Sequence, residues 1–271
     1  METYQTLQLS VEEGVGHVAL NRPDEANAMN LPFWEECRRV FEWMDQAGEV
    51  RVAVLSGNGK HFSSGIDLGL METFLVEGKN HEPGRRAESL RRLILRLQEA
   101  FTAIERCRVP VIAAVQGACI GGGVDMISAC DLRFCSANAF FVIKEVDIGI
   151  TADVGTLQRL PRIIGDGIMR ELAYTGRKVS GKEAKEIGLV NRVFDDKEAM
   201  MAEVMKIAHR IAEKSPLAIR GIKEMILYGR DHTVADGLNY VATWNAAMLS
   251  EAEVREALAA QTEKRRPAFE D

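Results

Sequence analysis

Apolar residues recur along this chain in two periods, and the periods alternate through its first half. Tyr4–Val11 and Gly16–Asn21 alternate apolar and polar positions, which predicts two short strands. Asn21-Arg-Pro-Asp-Glu25 reads as a turn. From Pro32 to Gly48 the period becomes helical, with Phe33, Cys37, Val40, Phe41 and Met44 on one stripe. Val50–Ser56 predicts a strand, closed by the turn Gly57-Asn-Gly-Lys60. Gly84–Arg106 predicts a long amphipathic helix carrying Leu90, Leu93, Ile94, Leu97, Phe101 and Ile104 on its apolar stripe. Pro110–Gln116 is an unbroken apolar run, of the kind a parallel sheet buries on both faces. Gly121–Ala129 reads as a glycine turn opening a helix, and Asp131–Cys135 and Ala139–Val142 as short strands.

After about residue 152 the helical period dominates. Thr156–Leu160, Gly165–Thr175, Ser180–Ile187, Lys197–Lys214, Pro216–Tyr228, Val234–Leu249 and Glu251–Lys264 predict helices, and only Gly188–Val193 suggests a further strand. Ser180 and Ser250 fit as N-caps, each with an acidic residue in the first turn. No low-complexity stretch divides the halves. The expected organisation is an α/β core over residues 1–195 and a helical region over residues 196–271.

Composition narrows the function classes. The 271 residues are 46% hydrophobic and 27% charged, an ordinary globular balance. A net charge of −6 argues against nucleic acid and gives no reason to sit on an acidic membrane. An anionic ligand needs a local basic patch. Five cysteines form no CxxC pair, and five histidines show no metal-ligand spacing, so reduced thiols and no metal are expected. Met1-Glu-Thr-Tyr4 lacks a signal or transit pattern, and Ala268-Phe-Glu-Asp271 is not a peroxisomal address, so a cytoplasmic setting is expected.

Candidate chemistry gathers in two glycine-rich apolar stretches that hold three acids, Asp125, Glu145 and Asp153. Carboxylates in such surroundings are costly to bury unless paired or functional. Asp125 follows Gly121-Gly-Gly123, where a turn can aim backbone N–H groups at a carbonyl oxygen or serve only tight strand–helix packing. His61-Phe-Ser-Ser-Gly-Ile-Asp-Leu68 offers another exposed N–H at Ile66, with Asp67 read as the cap of a helix over Leu68–Leu75. Structural roles remain open for the acids: Asp125 as a hydrogen-bonded helix residue, Glu145 paired with Lys144 or Arg159, Asp153 as a helix cap. Asp131 and Asp147, near strand ends, read as structural.

Taken together these stretches resemble the crotonase (enoyl-CoA hydratase/isomerase) superfamily from about Gly16 to Phe269. The resemblance is carried by Asn21-Arg-Pro and Asn27-Ala-Met-Asn30, Phe62-Ser-Ser-Gly-Ile-Asp67, Pro110-Val-Ile-Ala-Ala-Val-Gln-Gly117, Gly121-Gly-Gly123, Gly155-Thr-Leu-Gln-Arg-Leu-Pro161, Ala184-Lys-Glu-Ile-Gly-Leu-Val190 and Glu263-Lys-Arg-Arg-Pro-Ala-Phe269. It implies a spiral of strand–strand–helix turns, with C-terminal helices that build trimers or hexamers. It implies an acyl-CoA substrate, whose CoA is the only cofactor moiety, and an oxyanion hole made by the N–H groups of Ile66 and Gly122. Ser63, Ser64, Gly65, Asp67, Ala28, Arg22 and Lys264 fall on its substrate-binding positions, Lys264 in a subunit's own site or a neighbour's.

The acids refine the resemblance. Hydratases of the superfamily carry glutamate where Asp125 and Glu145 stand, and glycine-rich sequence where Thr151-Ala-Asp153 stands. A shorter Asp125, Glu145 twenty residues on and an added Asp153 resemble the Δ3,5-Δ2,4-dienoyl-CoA isomerases of β-oxidation. That implies proton removal from C2 by Glu145 and delivery to C6 by Asp153, with Asp125 positioning a neighbour; water addition to a 2-enoyl-CoA is the alternative. Phe141, Ile148 and Met126 are candidates for apolar lining or plain core, and the polar stretch Leu75–Arg86 is expected to cover the acyl site as a mobile loop.

Overall fold

The computed structural model describes residues 3–71 and 82–271. Two strands, β1 (Leu7–Glu12) and β2 (Val15–Leu20), form an antiparallel hairpin. Its two-residue turn sets Glu13 at φ 48° and Gly14 at φ 79°, the paired left-handed geometry that matches strand twist. A helix, α1 (Leu31–Gln46), crosses over to β3 (Val52–Gly57), which runs parallel to β2. A second, α2 (Pro83–Arg106), leads to β4 (Val111–Val115). The chain then turns a corner at Gly117 (φ 58°) into β5 (Ala118–Ile120) and α3 (Gly122–Ser128). β6 (Leu132–Ser136) and β7 (Phe140–Val142) repeat that step.

The first strand of each step joins a large sheet and the second joins a small one. With β8 (Val179–Ser180) and β9 (Arg192–Phe194), the sheet orders are β1-β2-β3-β4-β6-β9 and β5-β7-β8. This is the strand–strand–helix spiral expected from the sequence. β3 and β4 are buried along their whole length, and alternation divides them between two cores. Ala53, Leu55, Ala113 and Val115 face α1 and α2. Val52, Val54, Ile112 and Ala114 face Met200, Val204 and Ala208 of α8 (Lys197–Ala212).

Between β7 and α8 lie a 3-10 turn (Glu145–Ile148) and four short helices: α4 (Thr156–Arg159), α5 (Pro161–Ile164), α6 (Asp166–Thr175) and α7 (Gly181–Glu186). Three helices end the chain, α9 (Pro216–Tyr228), α10 (Val234–Met248) and α11 (Glu251–Glu263). Ser180 and Ser250 cap α7 and α11 as expected. The expected strand over Gly188–Val193 is displaced to β9, because residues 188–190 turn beside α7. Of the expected loop over residues 75–86, residues 75–81 lie outside the described residues. Residues 82–86 open α2, where the Glu82 carboxylate accepts from the N–H groups of Gly84 and Arg85.

Candidate active site

Two backbone segments meet at the ends of β3 and β4. Ser63 N–H donates to Ala118 O at 3.0 Å, and Ile120 N–H donates to Ser63 O at 3.0 Å. On the other edge Met29 N–H donates to Gly65 O at 2.8 Å and Asp67 N–H to Met29 O at 3.1 Å. Ile66 sits between these last two bonds, and its own N–H has no acceptor among the described residues. Gly122 is the first residue of α3, where helical N–H groups lack intrahelical acceptors, and its N–H is likewise unmet among the described residues. The segments touch closely. A Cβ on Gly65 (φ 90°) would lie 2.8 Å from Ile120 O and 3.4 Å from Gly122 N. The glycines of the turn differ in surroundings. Gly123 packs on Ser63, where a Cβ would come within 3.3 Å of the serine Cβ, whereas Gly122 offers its N–H.

The three acids converge across from these donors. Asp125 is fully buried on α3. Its Oδ1 accepts the N–H of Thr156 at 2.6 Å and so caps α4, while its Oδ2 is buried without a partner. The cap foreseen at Asp153 thus belongs to Asp125, since α4 begins at Thr156, as its period predicts, three residues past Asp153. Glu145 opens the 3-10 turn that follows β7. Lys144 pairs with Asp147 and Arg159 with Glu105, which leaves Glu145 without either cation. Glu145 Oε2 is buried and unpartnered, and Oε1 would lie 3.1 Å from a Cβ on Gly121.

Burial is the main cause of raised carboxyl pKa values here. It pushes Asp125 up to about 7, reinforced by the charge of Glu145 and opposed by the Thr156 hydrogen bonds. Burial also raises Glu145, against the pull of its own N–H and that of Lys144, and raises Asp153 at the open side. Among the described residues no cation pairs with either Asp125 or Glu145, and both keep a buried oxygen without a partner.

A cavity of about 280 Å³ is lined by all three acids, Ile66 and Gly122, with Trp34, Leu97, Ile148, Ile150 and Val154 as apolar wall. Ile148 lines it as proposed from sequence, whereas Phe141 and Met126 are fully buried core. Trp34, Leu97 and Ile150 were not foreseen. Leu97 was visible as part of an apolar stripe, but nothing in the sequence distinguishes cavity wall from core.

The remaining expected binding residues are tied into this frame. Ser63 Oγ donates to Asn27 O and accepts from Gly65 N–H at 3.1 Å. Ser64 and Gly65 border the cavity. Asp67 accepts from Gly69 N–H at 3.0 Å, the capping role expected, and also pairs with Arg22 at 3.2 Å. Arg22 Nη1 further donates to Ala28 O. Lys264 stands exposed at the end of α11 with φ 54° and does not line the cavity.

The fold and site belong to a known class: residues 10–271 match the family "Enoyl-CoA hydratase/isomerase", and the chain is a member of it. The Δ(3,5)-Δ(2,4)-dienoyl-CoA isomerase of Arabidopsis thaliana peroxisomes is 50% identical over 99% of this chain and 98% of that protein. The mitochondrial enzyme of that name from Homo sapiens is 48% identical over 97% of this chain and 81% of that protein. Among solved structures, an enoyl-CoA hydratase from Bacillus anthracis superposes with a TM-score of 0.89 at 31% identity, covering 98% of this chain and 99% of that one. The cytoplasmic expectation is overturned, since these relatives are peroxisomal or mitochondrial.

Proposed function

We propose that this chain converts 3,5-dienoyl-CoA to 2,4-dienoyl-CoA in fatty-acid β-oxidation. The observation that carries the reading is the convergence of three carboxyl groups, two with orphan oxygens, on one apolar cavity that also presents two unmet backbone N–H groups. The thioester oxygen docks between Ile66 N–H and Gly122 N–H. Ionised Glu145 takes the C2 proton, and the C–H electron pair spreads through the diene onto that oxygen. The two donors stabilise the resulting dienolate by about 3–4 kcal/mol each, as in other oxyanion holes. The pair then returns, C6 takes a proton from Asp153, and the double bonds come to rest at C2 and C4. Asp125, raised by burial and by the charge of Glu145, stays protonated while Glu145 acts. The apolar wall excludes water that would otherwise intercept the dienolate. No cofactor beyond the substrate's own CoA takes part.

CoA phosphates need cations, and Arg22 and Lys264 are the proposed partners. Arg22 bonds to Ala28 O and pairs with Asp67, and Lys264, exposed at the end of α11, would serve a neighbouring copy's site. We propose a homotrimer, or a hexamer of two trimers, assembled through α9–α11. Those helices expose Ile222, Ile226, Leu238 and Leu258 at 56–65%. Light scattering checks that assembly.

The deciding experiment follows absorbance of purified protein with 3,5-octadienoyl-CoA, with crotonyl-CoA in parallel. Rapid conjugation with little hydration is expected. Hydration without conjugation establishes the second reading, a 2-enoyl-CoA hydratase, which the Bacillus anthracis neighbour favours.

A further inference from the structure

The segment carrying Asp153 has no regular structure of its own between the 3-10 turn and α4. It is nevertheless held at three successive points. Gln98 Nε2 donates to Asp153 O at 2.6 Å. Arg159 Nη1 donates to Val154 O at 3.3 Å. Thr156 N–H reaches Asp125, as described above. Because the acceptor at Asp153 is a carbonyl, the Gln98 amide must present its nitrogen there.

One stripe of α2 makes the first hold and braces the arginine of α4 that makes the second. Gln98, Thr102 and Glu105 stand at i, i+4 and i+7, which places them on one helix face. Glu105 Oε2 accepts Arg159 Nε at 3.0 Å, and Thr102 Oγ1 accepts Arg159 Nη2 at 3.4 Å. Glu105 also accepts from Arg230 at the end of α9, which fixes the carboxylate from a second side. The arginine then lies across Gly155. A Cβ on that glycine (φ 133°) would fall 1.8 Å from Arg159 Nη1, so no other residue leaves room for the guanidinium.

We infer that Gln98, together with the Thr102–Glu105–Arg159 group, positions Asp153 for proton delivery: the Gln98 amide bonded to the Asp153 carbonyl and the Arg159 guanidinium bonded to the Val154 carbonyl hold the acid's backbone against α2. These are positioning residues, since none of their contacts is with the cavity floor where substrate reacts. The inference rests on the proposed role of Asp153. An acid that must meet a carbon four atoms from the deprotonated one has little tolerance for displacement, and misplacement by about 1 Å can cost on the order of 10²-fold in rate.

The test compares Gln98→Leu, Asp153→Asn and the double variant, with Thr102→Val and Arg159→Lys as milder changes. For each, kcat and KM on 3,5-octadienoyl-CoA, the pH–rate profile and the melting temperature are measured. Expected for Gln98→Leu is a kcat lowered about ten- to hundredfold, KM within about twofold because thioester docking is untouched, and an unchanged melting temperature. In the Asp153→Asn background the same change is expected to lower the rate no further, since it acts only through that acid. Thr102→Val and Arg159→Lys, which leave the Gln98 hold in place, are each expected to lose less than Gln98→Leu. Full activity in Gln98→Leu, or equal losses with and without the Asp153 carboxyl, overturns the inference. If Asp153→Asn itself retains full rate, the proposed role of Asp153 fails instead, a result the single variant separates from failure of the clamp.

Discussion

The two sides of the cavity are built from different materials. On the oxyanion side the working groups are main-chain N–H groups, held in place by a ladder of backbone hydrogen bonds among Met29, residues 63–67 and β5. On the acid side the working groups are side chains on turns, and their placement depends on contacts from α2, α3 and α4. A backbone donor costs no side-chain entropy to aim. It also cannot be altered without moving the main chain. Carboxyl groups can be tuned singly, by burial and by each other's charge. In the proposed mechanism one side fixes where a thioester sits and the other decides what happens to it, which fits a fold shared by hydratase and isomerase relatives.

The sharpest way to break the comparison is to remove single carboxylates. Glu145→Gln and Asp153→Asn are each expected to lower kcat by roughly 10²–10⁴-fold with KM little changed, the signature of lost proton transfer. Losses below about tenfold in both would show that the acid side is not chemical at all. In the wild type, a base with a raised pKa gives a rate that climbs as Glu145 ionises, and an acid with a raised pKa gives one that falls as Asp153 loses its proton. Glu145→Gln is expected to abolish the first limb and Asp153→Asn the second.

The oxyanion side is broken through glycine. Gly65→Ala places a methyl 2.8 Å from Ile120 O at a backbone angle of φ 90°. The expected result is a stability loss of about 1–3 kcal/mol and a rate loss of roughly 10–10² as Ile66 N–H is displaced. A normal rate with lowered stability would mean that Ile66 N–H plays no part.

This division also explains what the sequence could reveal. The oxyanion segments are short, glycine-marked and continuous, so the family resemblance could be carried over to Ile66 and Gly122 residue by residue, although the residues alone left both open. The apolar run of β4 and the stripes of α1 and α2 were equally legible. β5 and β8, at three and two residues, are too short to display a period, and their existence depends on pairing with β7. Asp153 read as the helix cap because it is the nearest acid in sequence. The actual cap, Asp125, comes from 31 residues away, a relation that only the packing of α3 against α4 creates. Gln98 carried no signal, since a glutamine beside an apolar stripe is ordinary surface. Asp131 was rightly read as structural: it accepts from Val111 N–H and pairs with buried Lys223 at 2.8 Å.

Asp125 sharpens the comparison through stability. Its carboxyl is held well above the unfolded value of about 3.9, up to about 7. Between about pH 4 and 7 the unfolded chain therefore releases a proton that the folded chain retains, and folding stability falls as pH rises through that window. Asp125→Asn removes the penalty, and its amide can still accept from Thr156 N–H while donating to Glu145 Oε2. The variant is expected to be more stable than wild type at pH 8 by on the order of 2–4 kcal/mol, with little difference at pH 4. Urea unfolding at both pH values and one protein concentration checks this, and a constant gap would mean that Asp125 is ionised in the folded protein.

The smallest effect is expected at Asp67, where the two sides share a border. Its carboxylate serves as a cap through Gly69 N–H and as the partner of Arg22, and both side chains are partly exposed, at 27% and 18%. Asn caps as well as Asp, so Asp67→Asn isolates the ion pair. Partly exposed pairs are worth about 0–1 kcal/mol, and the melting temperature should hardly move. Arg22, however, is released from its carboxylate while keeping its bond to Ala28 O. If Arg22 serves the CoA phosphates, the freed charge lowers KM for the CoA thioester, most clearly at low ionic strength, and leaves kcat alone. A raised KM would instead make the Arg22–Asp67 pair itself the element that holds the arginine in place, and would move the binding role from the charge of Arg22 to its orientation.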